Sequence, residues 1–213
     1  MTTRFFNSVV LIVSFVFISI SFNSCIIVKY ENEEEIEVEQ EIDISPKPIL
    51  ELSNNMLRSD SGDMIAFLPK DWFLVDVEEK VSSEILYVAA NKEYNLSVVF
   101  SRLHKTSEYE NKIKDEGLFA LAWYSFIKKE KKSAGNIKQI GKYQPIKMGP
   151  RRFVKYEYVG GNAAAATKSA VFISTIGEYY EMTLIPMVVD SNPIPKQQEI
   201  NDIFQSILAG IKF

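Results

Sequence analysis

Arg152-Phe153-Val154-Lys155-Tyr156-Glu157-Tyr158-Val159-Gly160-Gly161-Asn162 reads as one strand of a β-hairpin running into its turn. Successive strand side chains point to opposite faces, so Phe153, Lys155 and Glu157 share one face and Val154, Tyr156 and Tyr158 the other. The second face is apolar and is expected to pack under a helix. Gly160-Gly161-Asn162 supplies the residue types that tight hairpin loops need, and residues 169–175 resume as the return strand. Outward from this hairpin, apolar and β-branched runs recur at 64–68, 85–90, 96–103, 137–140 and 179–188. Ser61-Gly62-Asp63 precedes the first of these, and Gly177-Glu178 separates the last from the return strand. The expectation is an antiparallel sheet of about six or seven strands.

Two segments carry helical periodicity. Residues 108–132 place Ile113, Ala120, Leu121, Tyr124 and Ile127 in register, with acids early and Lys128, Lys129, Lys131 and Lys132 late, as the helix dipole favours. Gly117 is the weak point of that helix. Residues 196–208 follow Pro193 and Pro195 and align Ile200, Ile203, Phe204, Ile207 and Leu208 in one stripe. Ile211-Lys212-Phe213 then returns to an extended pattern. Three strands, a long helix, a four-stranded meander and a terminal helix describe an α+β domain with helices packed on an antiparallel sheet. Residues 49–213 suffice for one such domain.

Within it, Ile65-Ala66-Phe67-Leu68-Pro69-Lys70-Asp71-Trp72 resembles the apolar strand, proline, turn and tryptophan signature of the PsbP-like superfamily, which includes a photosystem extrinsic protein and DcrB-type bacterial lipoproteins. The terminal helix through Phe204-Gln205-Ser206-Ile207 is similar to that superfamily's closing helix. The resemblance implies an α/β/α sandwich and carries over no catalytic residue, because function belongs to a site rather than to a fold.

The N-terminus has a separate character. Arg4, the apolar run 5–20 and Ser21-Phe22-Asn23-Ser24-Cys25 have the order of an export signal. This stretch resembles a bacterial lipoprotein signal peptide, with Phe22 and Asn23 departing from the usual lipobox. The resemblance implies cleavage after residue 24 and lipidation of Cys25, the one cysteine of the 213-residue chain. The apolar run is interrupted by serines and is short for a membrane span of about 20 residues. Acyl chains on Cys25 would instead anchor the protein by partitioning, at about 0.8 kcal/mol per buried methylene.

Residues 25–48 read as the lipidated cysteine followed by an acidic tether, with eight acids from Glu31 to Asp43 and then Ser45-Pro46-Lys47-Pro48. Three readings of that tether stand open. It is a self-repelling spacer reaching up to roughly 65 Å, an acidic address signal of the kind some surface lipoproteins carry, or a strand awaiting an edge, because Glu35-Ile36-Glu37-Val38-Glu39 alternates.

Charge excludes one class of partner. The chain has 24 Lys and Arg against 28 Asp and Glu, and the acidic excess lies in the tether, which leaves the domain near neutral. No basic face for nucleic acid is expected. Catalytic patterns are also weak. His104 is the single histidine and reads as a solvated strand-end residue. The stretch from Gly160 to Lys168 lacks the second glycine of a phosphate loop and joins two strands, so it reads as a hairpin loop. Glu78, Glu79 and Glu84 flank a loop and read as surface acids. Trp72, Phe73, Phe119, Trp123, Tyr124, Phe126, Tyr143, Phe153, Tyr156, Tyr158, Tyr179 and Tyr180 read mainly as core, with a minority free to line a groove. No residue set calls for a metal ion or an organic cofactor.

The resulting expectation is a lipid-anchored protein of the cell envelope, on the periplasmic face or outer surface of a bacterial membrane. Its role is non-catalytic binding or assembly, in contact with the membrane through Cys25 and with a protein partner at the envelope. A periplasmic hydrolase and a cell-surface structural or adhesion lipoprotein are the alternatives. A pocket with polar groups converging on its floor would favour the enzyme, and a flat aromatic patch would favour a partner surface.

Overall fold

Phe153 and Tyr156 lie on opposite faces of one strand, each in its own hydrophobic core. A computed structural model of the chain describes residues 36–76, 82–160, 165–189 and 192–213, and those from Ile36 to Phe213 form one unit. The signal segment and Cys25 lie outside the described residues. In chain order the elements are β1 (Ile42–Asp43), β2 (Leu52–Arg58), β3 (Ile65–Pro69), β4 (Phe73–Leu74), β5 (Ile85–Ala90), β6 (Leu96–Leu103), α1 (Ser107–Glu116), α2 (Leu118–Lys132), β7 (Ile137–Met148), β8 (Arg151–Gly160), β9 (Thr167–Ile173), β10 (Tyr179–Pro186) and α3 (Gln197–Gly210).

The main sheet has eight strands in the order β1-β7-β8-β9-β10-β6-β5-β4, and β2 and β3 form a separate two-stranded sheet. Every pairing in the main sheet is antiparallel except β1 on β7. The count therefore exceeds the expected six or seven, for identifiable reasons. The run at 64–68 became β3, which left the main sheet for the hairpin with β2. The edge strands β1 and β4 have two residues each, too few to show a period. Strand β2 reads Leu-Ser-Asn-Asn-Met-Leu-Arg and buries only Leu57, so polarity hid it. Strand β7 continues beyond Ile140 because a register shift between Ile140 and Gln144 absorbs Gly141.

Gly117 divides the expected long helix. Its φ of 65° is a left-handed value that glycine adopts without a Cβ penalty, and it closes α1 while opening α2. Helix α2 buries Ala120, Leu121, Ala122, Tyr124, Ser125 and Phe126, and it lies over β7, β8 and β9. There it meets Val154, Tyr156 and Val171 in one core. On the opposite face α3 and the β2–β3 hairpin cover Phe100, Phe153, Phe172, Met182 and Leu184. Helix α3 comes so close to β3 that a Cβ on Gly210 would sit 2.6 Å from the Phe67 carbonyl oxygen. The extended tail bridges β3 through Ile65 and Lys212 and stacks Phe213 on Phe172, with ring centroids 4.7 Å apart. Helices on both sides of the sheet make the layering α/β/α.

Residues 25–48 were expected in the tether, and the structure shows residues 36–44 docked on the domain. Val38 bridges Tyr143 in parallel, and β1 pairs Ile42 with Ile146 and Asp43 with Lys147. Ile36 packs against the α2-side core, while Ile42 and Ile44 pack against the α3-side core. The acids between them meet Lys142 from Glu37 at 3.2 Å and Lys147 from Asp43 at 3.8 Å. Around β1 alternation explains the docking, since Ile42 and Ile44 turn inward on either side of Asp43, which meets Lys147 of β7. Ile36 reaches the opposite core and Val38 stays exposed, so one period does not run through the whole segment. Of the three readings of the tether, pairing with an open sheet edge fits these residues.

Candidate functional site

Helix α2 covers only part of its face of the sheet, and where its cover ends, beside β5, β6 and β10, a cleft of about 270 Å³ opens. Ser125, Lys128, Lys129 and Lys132 line it from the helix. Their spacing of three and four residues places them on one stripe. Alternation along β10 turns Glu181, Thr183 and Ile185 toward the cleft, while Tyr180, Met182 and Leu184 enter the opposite core. Glu181 stands across from Ser101 of β6, and Thr183 across from Val99. Ile85, Val99, Leu103 and Ile185 make the walls apolar.

One inner wall holds a closed polar quartet. The side chain of Glu181 is 4% exposed and accepts from Lys129 on one oxygen and from the Tyr156 hydroxyl on the other. Ser125 Oγ donates to the same oxygen as Tyr156, at 2.9 Å. Lys129 Nζ further donates to the Tyr156 oxygen at 2.8 Å and to Ser125 Oγ at 3.2 Å. Burial pulls the Lys129 ammonium below its ordinary value, and the charge and hydrogen bond of Glu181 restore part of the loss. Burial and the neighbouring Glu181 charge push the Tyr156 phenol well up, and the same two causes raise Tyr158. At the rim Glu84 pairs with Lys128 and, at 3.4 Å, with Lys132. Burial alone would raise the Glu84 carboxyl, and the hydrogen bonds and charges of these two lysines bring it below the ordinary value. Three ammonium groups thus face two carboxylates, and one positive charge is left over in a cleft whose remaining walls are apolar with a few hydroxyls, among them Ser101 and Thr183.

Of the residues weighed from sequence, Glu84 reaches this site and His104 does not, being exposed just past β6. Glu78 and Glu79 lie outside the described residues. Lys168, read as the end of a loop, is the second residue of β9, and β8 and β9 pair antiparallel as a hairpin requires. Tyr124, Phe126, Tyr143, Phe153, Tyr156, Tyr179 and Tyr180 are buried core residues, and Tyr158 alone of the aromatics read from sequence lines the cleft. Glu181, Lys129 and Ser125 were not singled out. The available signal was Glu181, an acid in a strand whose neighbours Tyr180, Met182, Leu184 and Ile185 are apolar. Among the described residues no group of three or more His, Cys, Asp or Glu side chains could hold a metal ion. No described helix is long and apolar enough to cross a membrane.

A largely antiparallel eight-stranded sheet between helical layers, with a hairpin and closing helix on one side, is a PsbP-like fold. The chain is similar to the cyanobacterial PsbP protein (CyanoP) of Synechocystis, with a TM-score of 0.54 and 17% identity over 77% of this chain and 93% of that one. The Ran-binding protein Mog1p of Saccharomyces cerevisiae matches with a TM-score of 0.46 and 11% identity over 76% of this chain and 95% of its own. No protein-family model and no curated protein sequence matches the chain. At such identity the likeness to CyanoP speaks for the fold alone.

Proposed function

We propose that the protein is an exported, lipid-anchored binding module without catalysis, held at the cell envelope through Cys25, whose cleft beside α2 receives a small amphipathic anion. The observation that carries the binding reading is the cleft itself, with apolar walls and one ammonium charge in excess of its carboxylates. An apolar body buries against Ile85, Val99, Leu103 and Ile185, and an anionic head meets Lys128 and Lys132 in exchange for Glu84. Titration with octanoate tests this, followed by the amide shifts of residues 99–103 and 183–185. Saturable shifts that weaken at least tenfold in Lys132→Glu are expected, and equal affinity for octanol would remove the anionic head from the reading.

Polar groups do converge on this cleft, which is the feature set above as favouring an enzyme, and Ser125 lies 3.2 Å from Lys129 as a serine nucleophile and lysine base would. Their bonding argues otherwise. Ser125 spends its proton on Glu181, and Lys129 is the charged partner of that carboxylate, so the lysine has no lone pair for a base to use. Labelling of Ser125 by a fluorophosphonate would establish the hydrolase in place of the binding module.

The anchor rests on the sequence pattern around Cys25. Because residues 36–44 pair with the domain, no more than residues 25–35 separate Cys25 from the docked segment, and their fully extended length is roughly 40 Å against the roughly 65 Å of an undocked tether. Cys25→Ser tests the anchor, with a longer precursor and loss of membrane attachment expected. Unchanged processing and fractionation would sink it.

A further inference from the structure

We propose that a second cavity, on the α3 side of the sheet beneath β1, is a binding site for a short-chain organic carboxylate. Its volume is about 180 Å³, and Lys155 of β8 and Lys168 of β9 line it together with Ile42, Ile44 and Phe204. Both lysines converge on one atom. Glu157 Oε1 lies 2.7 Å from Lys168 Nζ and 3.1 Å from Lys155 Nζ, so a single carboxylate serves two ammonium groups.

The side chain of Lys168 is 3% exposed, and a buried ammonium is costly unless its donors and its charge are matched. It has three donors, and the bond to Glu157 uses one. The shared oxygen also places the two ammonium groups close enough for one further carboxylate to bridge them. Burial would raise the Glu157 carboxyl, yet Lys168 and Lys155 hold it below its ordinary value, which agrees with an excess of positive charge at this spot. From the docked segment, Glu39 accepts from the amide of Gln144, a residue of the cavity lining, at 2.9 Å in an exposed position, where solvent screens its charge.

The rest of the cavity selects the ligand's other end. Ile42, Ile44 and Phe204 give apolar contact for a tail of a few methylenes, while Gln144, Asn201 and Gln205 add amides along the polar side of the cavity. Ile42 and Ile44 belong to the docked N-terminal segment, so an occupied cavity also fastens that segment to the sheet. Exchange of the Ile44 amide, which bonds the Lys147 carbonyl at 2.8 Å, reports this directly.

The test is an amide-resolved NMR titration of the full chain with butyrate, butanol and inorganic phosphate. Butyrate is expected to shift residues 42–44, 155, 168 and 204–205 saturably and to slow Ile44 exchange. Lys155→Met, which leaves the Lys168–Glu157 pair intact, is expected to weaken it at least tenfold, and Ile42→Phe to abolish it by filling the cavity. Butanol binding as well as butyrate would reduce the site to an apolar void, and phosphate binding as well would remove the tail from the reading. Shifts confined to the α2 cleft, or unchanged in both variants, would overturn the proposal.

Discussion

Replacing Lys129 by Met removes the positive member of the buried quartet and keeps the length of its side chain. Glu181, 4% exposed, would retain the hydrogen bonds from Ser125 and Tyr156 but have no countercharge. Removing one partner of a buried pair costs about 3–5 kcal/mol, because the remaining charge is left desolvated. Glu181→Gln should cost less, since the Lys129 ammonium keeps its bonds to the Tyr156 and Ser125 oxygens. The double variant should recover most of the Lys129→Met loss, because the glutamine carbonyl still accepts from Tyr156 and Ser125 while no charge remains. Urea denaturation monitored by far-ultraviolet circular dichroism measures the cycle. With an m-value of about 2 kcal/mol/M, the Lys129→Met midpoint falls by roughly 2 M and most of that returns in the double variant. A Lys129→Met loss below about 1 kcal/mol, or a double variant as unstable as the two losses added, would refute the reading of this wall as a dry, mutually dependent pair.

Four further outcomes follow from named contacts. Gly210→Ala drives a Cβ into the Phe67 carbonyl at 2.6 Å, so overpacking of about 1–3 kcal/mol should lower Tm by about 2–4 °C per kcal/mol in a thermal melt. Asp63, Glu84, Glu157 and Glu178 all have carboxyls held below their ordinary values. Such groups contribute stability that is fully present above the unfolded value near about 4 and is lost as pH falls through their folded values, so urea midpoints should be level near neutrality and drop on acidification. For Asp63 burial works upward and is outweighed by the serine and Tyr180 hydroxyls around it, so Asp63→Asn should flatten the acid limb. Deleting residues 36–44 uncovers the edge of β7, and light scattering after size exclusion should show concentration-dependent association that the full chain lacks.

The faces of the central strands were legible because alternation is a local property. Val154, Tyr156 and Tyr158 sit under α2 as the pattern requires, and β5, β6, β8, β9 and β10 overlap the apolar runs read from the sequence, while β7 starts in its run and continues well past it. What escaped was set by residues distant in the chain. Nothing near Leu52-Ser53-Asn54-Asn55 marks a strand, since its stability comes from pairing with β3. Docking of 36–44 depends on an otherwise unpaired edge of β7 about a hundred residues later. The cleft is hidden for the same reason, because Glu84 in the turn before β5, Lys129 of α2, Tyr156 of β8 and Glu181 of β10 lie far apart in the chain and the sheet order, which sets β10 between β9 and β6, joins them. A buried acid still leaves a local trace. Between Tyr180 and Met182, in a strand whose residues 179–184 are all buried, a glutamate costs too much without a charge partner, so its presence implies a cation nearby before any partner is known. By the same reasoning Lys168 in Thr167-Lys168-Ser169-Ala170-Val171-Phe172 implies an acid, and Glu157, its direct cross-strand neighbour, supplies it. Charged residues that interrupt buried stretches of strand are therefore the positions from which both sites can be traced, one on each face of the sheet.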